Sequence, residues 1–349
     1  MKTMLKNILT FIIIPLTLLT SCIGEEEFDN SGNGNFEALW RLVDERYCFF
    51  DQAEKEFGLD WNAVYDRYKP IADTCRDEII LFELLGDMLG ELRDGHVNLS
   101  SMHGTSYYWD WQLQEPMNFS DSIQRNYLGT DFWLTNGIKY NILPDSIGYV
   151  YVESFSGGFN TNNLTLMLYN MRECKAIILD IRNNGGGMIT SAEKLASIFI
   201  NEEIHYGYMQ HKTGKGHYDL SDPEPLYLEP SQGARWLRPV VVLTNRSVYS
   251  AANHFVMIMR ELPHVAIVGD KTGGGSGMPL NSTLPNGWRV RLSACPTLDL
   301  NYIHTEFGIE PHIKVDMTSN DWNKGRDTII ETAKSLIFEY YNKKEEKED

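Results

Sequence analysis

The segment KAIILDIRNNGGG, residues 175–187, passes from an apolar run rich in isoleucine to three consecutive glycines. Its first half predicts a buried strand of a parallel sheet, because such strands are continuous hydrophobic runs. The glycines let the backbone approach a ligand closely and direct N–H groups towards it. Taken alone, however, this turn is more simply explained as a tight connection between a strand and a helix.

Two further segments have the same form. PVVVLTN, residues 239–245, predicts a second buried strand, and a helix is predicted after it from about Ser250 to Glu261. VAIVGD, residues 265–270, predicts a third buried strand. Strands that alternate with helices indicate βαβ units, so the chain is predicted to have an α/β fold with a mainly parallel sheet. Such sheets place their sites at the carboxyl ends of strands, where these three turns lie.

The rest of the chain divides by pattern. Apolar residues at helical spacing predict a small helical N-terminal domain over residues 36–100. A β-rich connecting segment is expected over 101–146, and the α/β core over 147–345. Within the core, residues 213–238 are predicted to form a long loop, because glycines and prolines recur there.

The second turn contains the candidate nucleophile. Ser250 is predicted to stand at the start of a helix just beyond a strand, where its hydroxyl is exposed and the N–H of Ala251 lies beside a developing oxyanion. The simpler alternative is that Ser247 or Ser250 only caps the helix. The third turn, residues 268–277, lacks the order of a phosphate-binding loop, so a nucleotide site is not indicated.

Taken in series, the motifs resemble the tail-specific (C-terminal-processing) serine peptidase family. The matching segments are DIRNNGG at 180–186, LTN at 243–245 with Ser250 five residues on, GDKTGG at 269–274, and GIEPHI at 308–313. The resemblance implies a crotonase-like (ClpP/crotonase) α/β core with a small helical N-terminal domain. It implies peptides or protein tails as substrates, and neither a cofactor nor a metal.

The chain departs from most of this family at two points. The lysine that usually serves as the base would stand at Gly275, and Lys271 lies four residues earlier. Only about fifty residues separate His96 from Ile147, too few for an inserted PDZ domain. The chain is therefore more similar to the PDZ-less branch that contains the tricorn core protease and the interphotoreceptor retinoid-binding protein.

Similarity to the tricorn branch implies a histidine base. The pattern LRDGH at 92–96 places that base at His96, and Glu306 is the nearest match to a carboxylate that orients further groups. His96 would take the proton of Ser250, and the N–H groups of Ala251 and Gly186 would hold the oxyanion. The alternative for His96 is a histidine stabilised at the C-terminus of a helix.

Other polar and aromatic residues allow weaker interpretations. His254, one turn beyond Ser250, faces the site or simply packs, and His304 and His312 beside Glu306 are a weak metal pattern. The aromatic cluster lines a substrate groove or forms an interface: Tyr107, Tyr108, Trp109 and Trp111.

The N-terminus MKTMLKNILTFIIIPLTLLTSC, residues 1–22, resembles a lipoprotein signal peptide that ends at a lipidated Cys22. Residues 23–35 are predicted to be a flexible linker. Within it, Glu25, Glu26 and Glu27 are either a surface-export signal or simply solvated linker residues. An outer-membrane lipoprotein that faces the periplasm or the cell surface is therefore expected. Its partners would be the membrane, through the lipid, and a peptide or protein substrate.

Composition excludes some classes of partner. A net charge of −17 argues against binding nucleic acid or anionic lipid. Cys48 and Cys75 both lie in the helical region, and the sequence leaves open whether they form a disulfide. The leading hypothesis is a membrane-anchored serine endopeptidase with a Ser–His mechanism. The alternative is a catalytically inactive relative that binds a hydrophobic or peptide ligand, and an acyl-thioester enzyme is a weaker third.

Overall fold

The computed structural model describes residues 28–348. The predicted signal peptide 1–22 with Cys22, and the glutamates 25–27, therefore lie outside the described residues. Within 28–348, no helix combines the length and apolar character that crossing a bilayer requires.

Helices occur at both ends of the chain and between the core strands. The α-helices of the described residues are α1 (Gly32–Arg46), α2 (Phe50–Phe57), α3 (Trp61–Thr74), α4 (Glu78–Gly90), α5 (Asp121–Leu128), α6 (Thr161–Asn170), α7 (Ile189–Ala196), α8 (Ala251–Arg260), α9 (Ser319–Asn323) and α10 (Thr328–Glu348). Short 3₁₀ turns lie at Asp110–Leu113 and Ser197–Phe199.

The strands belong to three sheets. They are β1 (Asn98–Ser101), β2 (Gly104–Ser106), β3 (Trp133–Thr135), β4 (Ile138–Leu143), β5 (Ile147–Val152), β6 (Ala176–Asp180), β7 (Ile204–Met209), β8 (Glu224–Leu228), β9 (Val240–Thr244), β10 (Val265–Gly269), β11 (Met278–Thr283), β12 (Arg289–Cys295), β13 (Thr297–Leu298) and β14 (Ile313–Lys314).

The main sheet has seven strands in the order β14-β10-β9-β6-β5-β4-β3. Its five strands from β14 to β5 are parallel, and β4 and β3 add an antiparallel edge. Strands β5, β6 and β9 are buried along their whole length, because helices cover both faces. The core on one face includes residues of α6, α7 and α8, and the core on the other includes residues of α5 and α10.

A second unit joins the N-terminal helices to a late hairpin. Strand β1 pairs with β12 and β2 in a four-stranded sheet of order β11-β12-β1-β2. Phe36, Leu85 and Trp288 belong to one apolar core that this sheet shares with α1 and α4. The predicted division at residue 100 therefore runs through a sheet, and the segment before it is tied to residues nearly two hundred positions later in the sequence.

The structure differs from the predicted linker 23–35 at its end, since α1 already begins at Gly32. Ser31 caps this helix by accepting a hydrogen bond from the N–H of Gly34, which offsets the low helix propensity of two glycines. Asn35 is buried, and its Oδ1 accepts the N–H of Asn286 at 3.0 Å. This contact to the late hairpin is not visible in the local sequence.

Two elements lie where none was predicted. Helix α5 lies inside the segment expected to be β-rich, and Ser120 caps it. Strand β8 lies inside the predicted loop 213–238 and contains Pro225. It is the edge strand of the sheet β13-β7-β8, where a residue without an N–H is tolerated.

The four cysteines of the described residues are free thiols: Cys48, Cys75, Cys174 and Cys295. The structure therefore contains no disulfide between Cys48 and Cys75. Burial, followed by the nearby carboxylates of Glu306 and Asp94, raises the pKa of the Cys48 thiol well above its usual range. This thiol is held in its neutral form inside the helical domain.

Candidate active site

The three glycine- or serine-marked turns meet at one edge of the main sheet, because β6, β9 and β10 are adjacent strands. Tyr249 N–H donates to the carbonyl of Asn184 at 3.1 Å, which joins the second turn to the first. Ser250 N–H donates to the carbonyl of Gly274 at 2.8 Å, which joins it to the third. The three turns predicted at the carboxyl ends of strands therefore come together in the structure.

Ser250 has a strained backbone at the start of α8. Its φ of 57° and ψ of −122° are rare for a residue with a side chain, and such conformations typically cost about 1–3 kcal/mol and cluster at functional sites. Its side chain makes no capping hydrogen bond to the helix. The interpretation of Ser250 as a simple helix cap is therefore wrong.

His96 contacts Ser250 directly. Nε2 of His96 lies 2.9 Å from Oγ of Ser250, although the two residues are 154 positions apart. The histidine lies in the turn between α4 and β1, so the sheet shared with β12 carries it to the core. This distance suits proton transfer from the hydroxyl to the ring. The structure thus brings together the predicted nucleophile and base.

Asp94 fixes the turn that carries the histidine. Its Oδ1 accepts the N–H of His96 at 2.7 Å, and its Oδ2 accepts the hydroxyl of Ser293 at 2.7 Å. The hydroxyl of Tyr249 also donates to Oδ1 at 3.3 Å. Sequence reasoning assigned no role to Asp94, although an Asp two residues before a functional residue is a known signal for a side chain that holds its own turn.

The rings of Trp109 and Trp111 pack closely against the turn that carries His96. Gly95 has no Cβ, and a Cβ there would lie 2.7 Å from the rings of both Trp109 and Trp111. The same two rings pack on Tyr249, with centroids 5.2 and 5.4 Å away. The rings of Trp109 and Trp111 therefore pack against the turn that carries His96, whereas Tyr107 is exposed.

Burial favours the neutral form of His96, the candidate base. His96 is almost fully buried, which lowers its pKa below the usual 6.5, while Asp94 opposes this shift and Arg291 adds to it. The backbone of Gly277 also opposes the shift, but burial outweighs these opposing contributions to the pKa of His96. The ring is therefore kept neutral near pH 7, as a general base requires.

Glu306 does not contact His96. Its Oε2 accepts the N–H groups of Ser276 and Gly277, at 2.7 and 3.2 Å, and the hydroxyl of Ser276 at 3.4 Å. Burial raises its pKa well above the usual range and Asp94 adds to this, while the hydrogen bonds from Ser276 and Gly277 oppose it. Glu306, predicted among the catalytic residues, is therefore a positioning residue that holds the loop beside the histidine.

Removing the Glu306 acceptor is expected to lower kcat more than it raises KM. Glu306→Ala leaves two backbone N–H groups without a partner, so we expect a loss of about 10²-fold in kcat. Glu306→Gln retains an oxygen acceptor of the same reach and is the matched control, expected to retain most of the activity. Steady-state kinetics of both variants test this, and equal losses would contradict a positioning role.

One predicted oxyanion donor needs correction. The N–H of Gly186 donates to Oδ1 of Asn184 at 2.9 Å and is therefore occupied. Among the described residues, the N–H groups of Gly187 and Ala251 have no such acceptor, and both residues line the cavity beside Ser250. Gly187 thus replaces Gly186 as the partner of Ala251 in the candidate oxyanion site.

Gly186 has a different role, which is to allow close approach. A Cβ on Gly186 would lie 2.8 Å from Cβ of Ser250 and 2.9 Å from the backbone nitrogen of Ala251. The neighbouring asparagines link the turns, since Nδ2 of Asn245 donates to Oδ1 of Asn183 at 2.8 Å. These motif residues therefore shape the site without taking part in the chemistry.

Among the described residues, neither Lys271 nor His254 has a side-chain hydrogen bond to Ser250. Nζ of Lys271 lies 3.6 Å from Glu310 and borders a different cavity. A Cβ on Gly275 would lie 2.4 Å from the ring of Tyr249, so a lysine does not fit at that position. His254 lines the cavity of Ser250, and its Nε2 is directed at Glu193 and Tyr206.

The two histidines beside Glu306 do not join it in a metal site. His304 is half-buried and packs edge-on against Phe49, and partial burial lowers its pKa to about 4. Nδ1 of His312 accepts the N–H of Ile267 at 3.0 Å. Within residues 28–348, no group of three or more His, Cys, Asp or Glu side chains is placed to hold a metal ion.

Comparison with protein families gives two matches that together cover both parts of the chain. Residues 146–315 match the model of peptidase family S41. Residues 28–90 match the model of the tricorn protease C1 domain. The first match contains all three turns of the site, and the second covers the helices that lead to His96.

Curated relatives match over shorter stretches. The carboxy-terminal processing protease CtpA of Bacillus subtilis is 26% identical over 183 residues, or 51% of this chain. A protein of Chlamydia trachomatis is 30% identical over 139 residues, or 37% of this chain. The chain spans only 37% and 23% of the lengths of these two relatives.

Solved structures match over most of the chain. A provisionally assigned peptidase from Parabacteroides merdae is 52% identical, with a TM-score of 0.84 over 88% of this chain and 97% of its own. Mature CPAF complexed with lactacystin is 14% identical, with a TM-score of 0.71 over 90% of this chain and 99% of its own. The latter similarity shows a shared fold only.

Proposed function

Because the chain belongs to peptidase family S41, we propose that it is a serine endopeptidase in which His96 activates Ser250. The observation that carries this proposal is the 2.9 Å contact between Nε2 of His96 and Oγ of Ser250. Binding alone requires neither this contact nor the strained backbone of Ser250. We infer further that the α/β core is of the crotonase-like type.

The reaction proceeds by acyl transfer to the serine. The hydroxyl proton of Ser250 moves to Nε2 of His96 as Oγ bonds to the carbonyl carbon of the peptide. The carbonyl oxygen becomes an oxyanion, which the N–H groups of Ala251 and Gly187 stabilise. The proton on His96 then passes to the amine as the C–N bond breaks, and water releases the acyl group by the same sequence of steps.

The site is expected to remain active at mildly acidic pH. His96 accepts a proton only when neutral, and burial lowers its pKa below 6.5, so the neutral form persists to lower pH. The acid limb of kcat/KM should therefore lie below pH 6.5. A pH profile on a substrate without titrating groups measures this, and an acid limb at or above 6.5 would contradict it.

Fluorophosphonate labelling tests the proposed function. The full chain is expected to react at Ser250, and Ser250→Ala and His96→Ala are expected to lose the label. His264→Ala is a control, because His264 is absent from the lining of the Ser250 cavity. A folded wild-type chain that does not label would instead favour the catalytically inactive binding protein.

We propose that the enzyme acts on peptides or protein tails and is anchored to a membrane through lipid on Cys22. This rests on the sequence 1–22 and on the acidic linker that follows it, together with the family of the core. An outer-membrane lipoprotein that faces the periplasm or the cell surface fits this pattern.

Substitution of the lipidated cysteine tests the anchor. Cys22→Ala is expected to abolish incorporation of labelled fatty acid and to move the protein out of the membrane fraction. Cys48→Ala is the matched control, because that thiol is buried in the helical domain. Fatty-acid labelling of the Cys22→Ala chain would disprove the assignment.

A further inference from the structure

The cavity beside Ser250 is small and has an arginine in its lining. It has a volume of about 130 Å³, and its lining contains the polar side chains of His96, Ser250, His254 and Arg291 as well as glycines and the apolar side chains of Ile189 and Met278. Among the described residues, no Asp or Glu side chain lines it. This is unusual in a chain whose net charge is −17, so the charge of this cavity differs from that of the molecule as a whole.

Arg291 supplies a permanent charge at this cavity. It lies on β12, paired with Asn98 on one side and Asn281 on the other, while the flanking Val290 and Leu292 are buried. Alternation along the strand therefore places the arginine side chain on the opposite side from the apolar core. Among the described residues, its guanidinium forms no salt bridge with a carboxylate.

Arg291 is also close enough to the catalytic base to affect it. After burial and Asp94, Arg291 is the next influence on the pKa of His96, which it helps to lower. An arginine presents planar, paired donors that match the geometry of a carboxylate. A guanidinium that lines the same cavity as Ser250 and has no anionic partner among the described residues is therefore suited to bind a carboxylate.

His254, which also lines the cavity, has polar partners of its own. Nε2 of His254 lies 3.4 Å from the hydroxyl of Tyr206 and 3.6 Å from Oε1 of Glu193. Burial opposes ionisation of Glu193, but His254 and Tyr206 outweigh it and lower its pKa. Glu193 thus lies beside Nε2 of His254 and is not among the described residues that line the cavity.

We propose that this cavity binds a carboxylate of the substrate next to the cleaved bond, and that Arg291 is the residue that recognises it. The inference rests on the proposed peptidase function, since it assigns a preference to the same site. The carboxylate is either an acidic side chain or the free C-terminus of the substrate. Both present the same chemistry to Arg291, and the test below distinguishes them.

The test begins with the full chain and a mixed peptide library whose cleavage sites are identified by mass spectrometry. Matched peptides then differ only by Asp against Asn at the enriched position, or by a free against an amidated C-terminus. We expect kcat/KM to favour the carboxylate peptide by about tenfold or more. Enrichment of Asp or Glu at a position inside the cleaved peptides indicates that Arg291 binds an acidic side chain. A loss of kcat/KM on amidation indicates that it binds the free C-terminus.

Substitutions identify the residue that is responsible. Arg291→Gln is expected to bring the ratio of carboxylate to neutral substrate close to one, and Arg291→Glu to favour lysine instead. Arg289→Gln is the matched control, because Arg289 lies on the same strand but borders a different cavity, and its ratio should equal that of the wild type. A wild-type ratio near one, or equal losses on both substrates in Arg291→Gln, would overturn the proposal.

A second measurement separates this inference from the proposed function. The Ser250→Ala chain binds peptides without cleaving them, so fluorescence anisotropy gives the affinity for each matched pair. If the wild type hydrolyses no peptide, the proposed peptidase function is contradicted. The ratio of the two binding affinities then tests by itself whether the cavity binds a carboxylate. A ratio of about ten that disappears in Ser250→Ala/Arg291→Gln supports the site, and equal affinities refute it.

Discussion

Ser250→Ala is expected to lower kcat by about 10⁴-fold or more while leaving KM and stability nearly unchanged. The nucleophilic oxygen is lost, whereas the candidate oxyanion donors remain. Stability is unaffected because the Ser250 side chain caps no helix, and alanine meets the same backbone strain that serine already has. Peptide hydrolysis under saturating substrate measures the first effect, and thermal unfolding measures the second.

A neighbouring serine provides the control. Ser247→Ala alters a hydroxyl in the same turn, three residues before the nucleophile, and Ser247 does not line the cavity. Its kcat is expected to stay within about twofold of the wild type, the range of an ordinary surface change. The double variant Ser250→Ala/His96→Ala should lose no more activity than Ser250→Ala alone, because the two residues act as a unit. Additive losses would show that His96 acts independently of Ser250.

Arg182→Met is expected to destabilise the fold by about 3–5 kcal/mol, because it leaves two buried carboxylates without their partner. NH2 of Arg182 lies 2.6 Å from Asp180, and NH1 lies 2.9 Å from Asp327, with all three side chains fully buried. NH1 also donates to the carbonyl of Asn118 at 3.1 Å. Denaturant unfolding at neutral pH measures the loss of free energy.

An exposed ion pair serves for comparison. Lys139 lies 3.1 Å from Glu153, and both side chains are partly or largely exposed, so Lys139→Met should change stability by less than about 1 kcal/mol. A loss at Arg182 as small as that at Lys139 would refute the structural role. The motif arginine would then have to act in some other way, although it has no exposed surface from which to contact a substrate.

The Arg182 network shows how motif residues divide between chemistry and support. In the motif DIRNNGG, Asp180 and Arg182 join the sheet to α10 through Asp327, and Asn183 ties the first turn to Asn245. The motif includes these residues just as another motif includes the nucleophile. Only their contacts reveal that they hold the turns in place rather than react.

The pair Ser250 and His96 could be predicted because each occupies a position that a motif defines. The identity of the oxyanion donor could not, since Gly185, Gly186 and Gly187 are alike in sequence. Which N–H is free depends on Asn184, because Oδ1 of its side chain accepts a hydrogen bond from the N–H of Gly186. Glu306 was found by its motif, but its role depends on the direction of its side chain towards Ser276 and Gly277.

The sequence by itself determined the α/β class, the three turns at the carboxyl edge of the sheet, and the candidate nucleophile and base. Hydrophobic runs, glycines and a serine at a helix start are local features, and the carboxyl ends of adjacent parallel strands must lie together. The tertiary structure decided the contact between His96 and Ser250, the roles of Asp94 and Glu306, and the charge of the cavity at Arg291. These features depend on the pairing of β1 with β12 across nearly two hundred residues, and no local pattern specifies which distant strand supplies the partner.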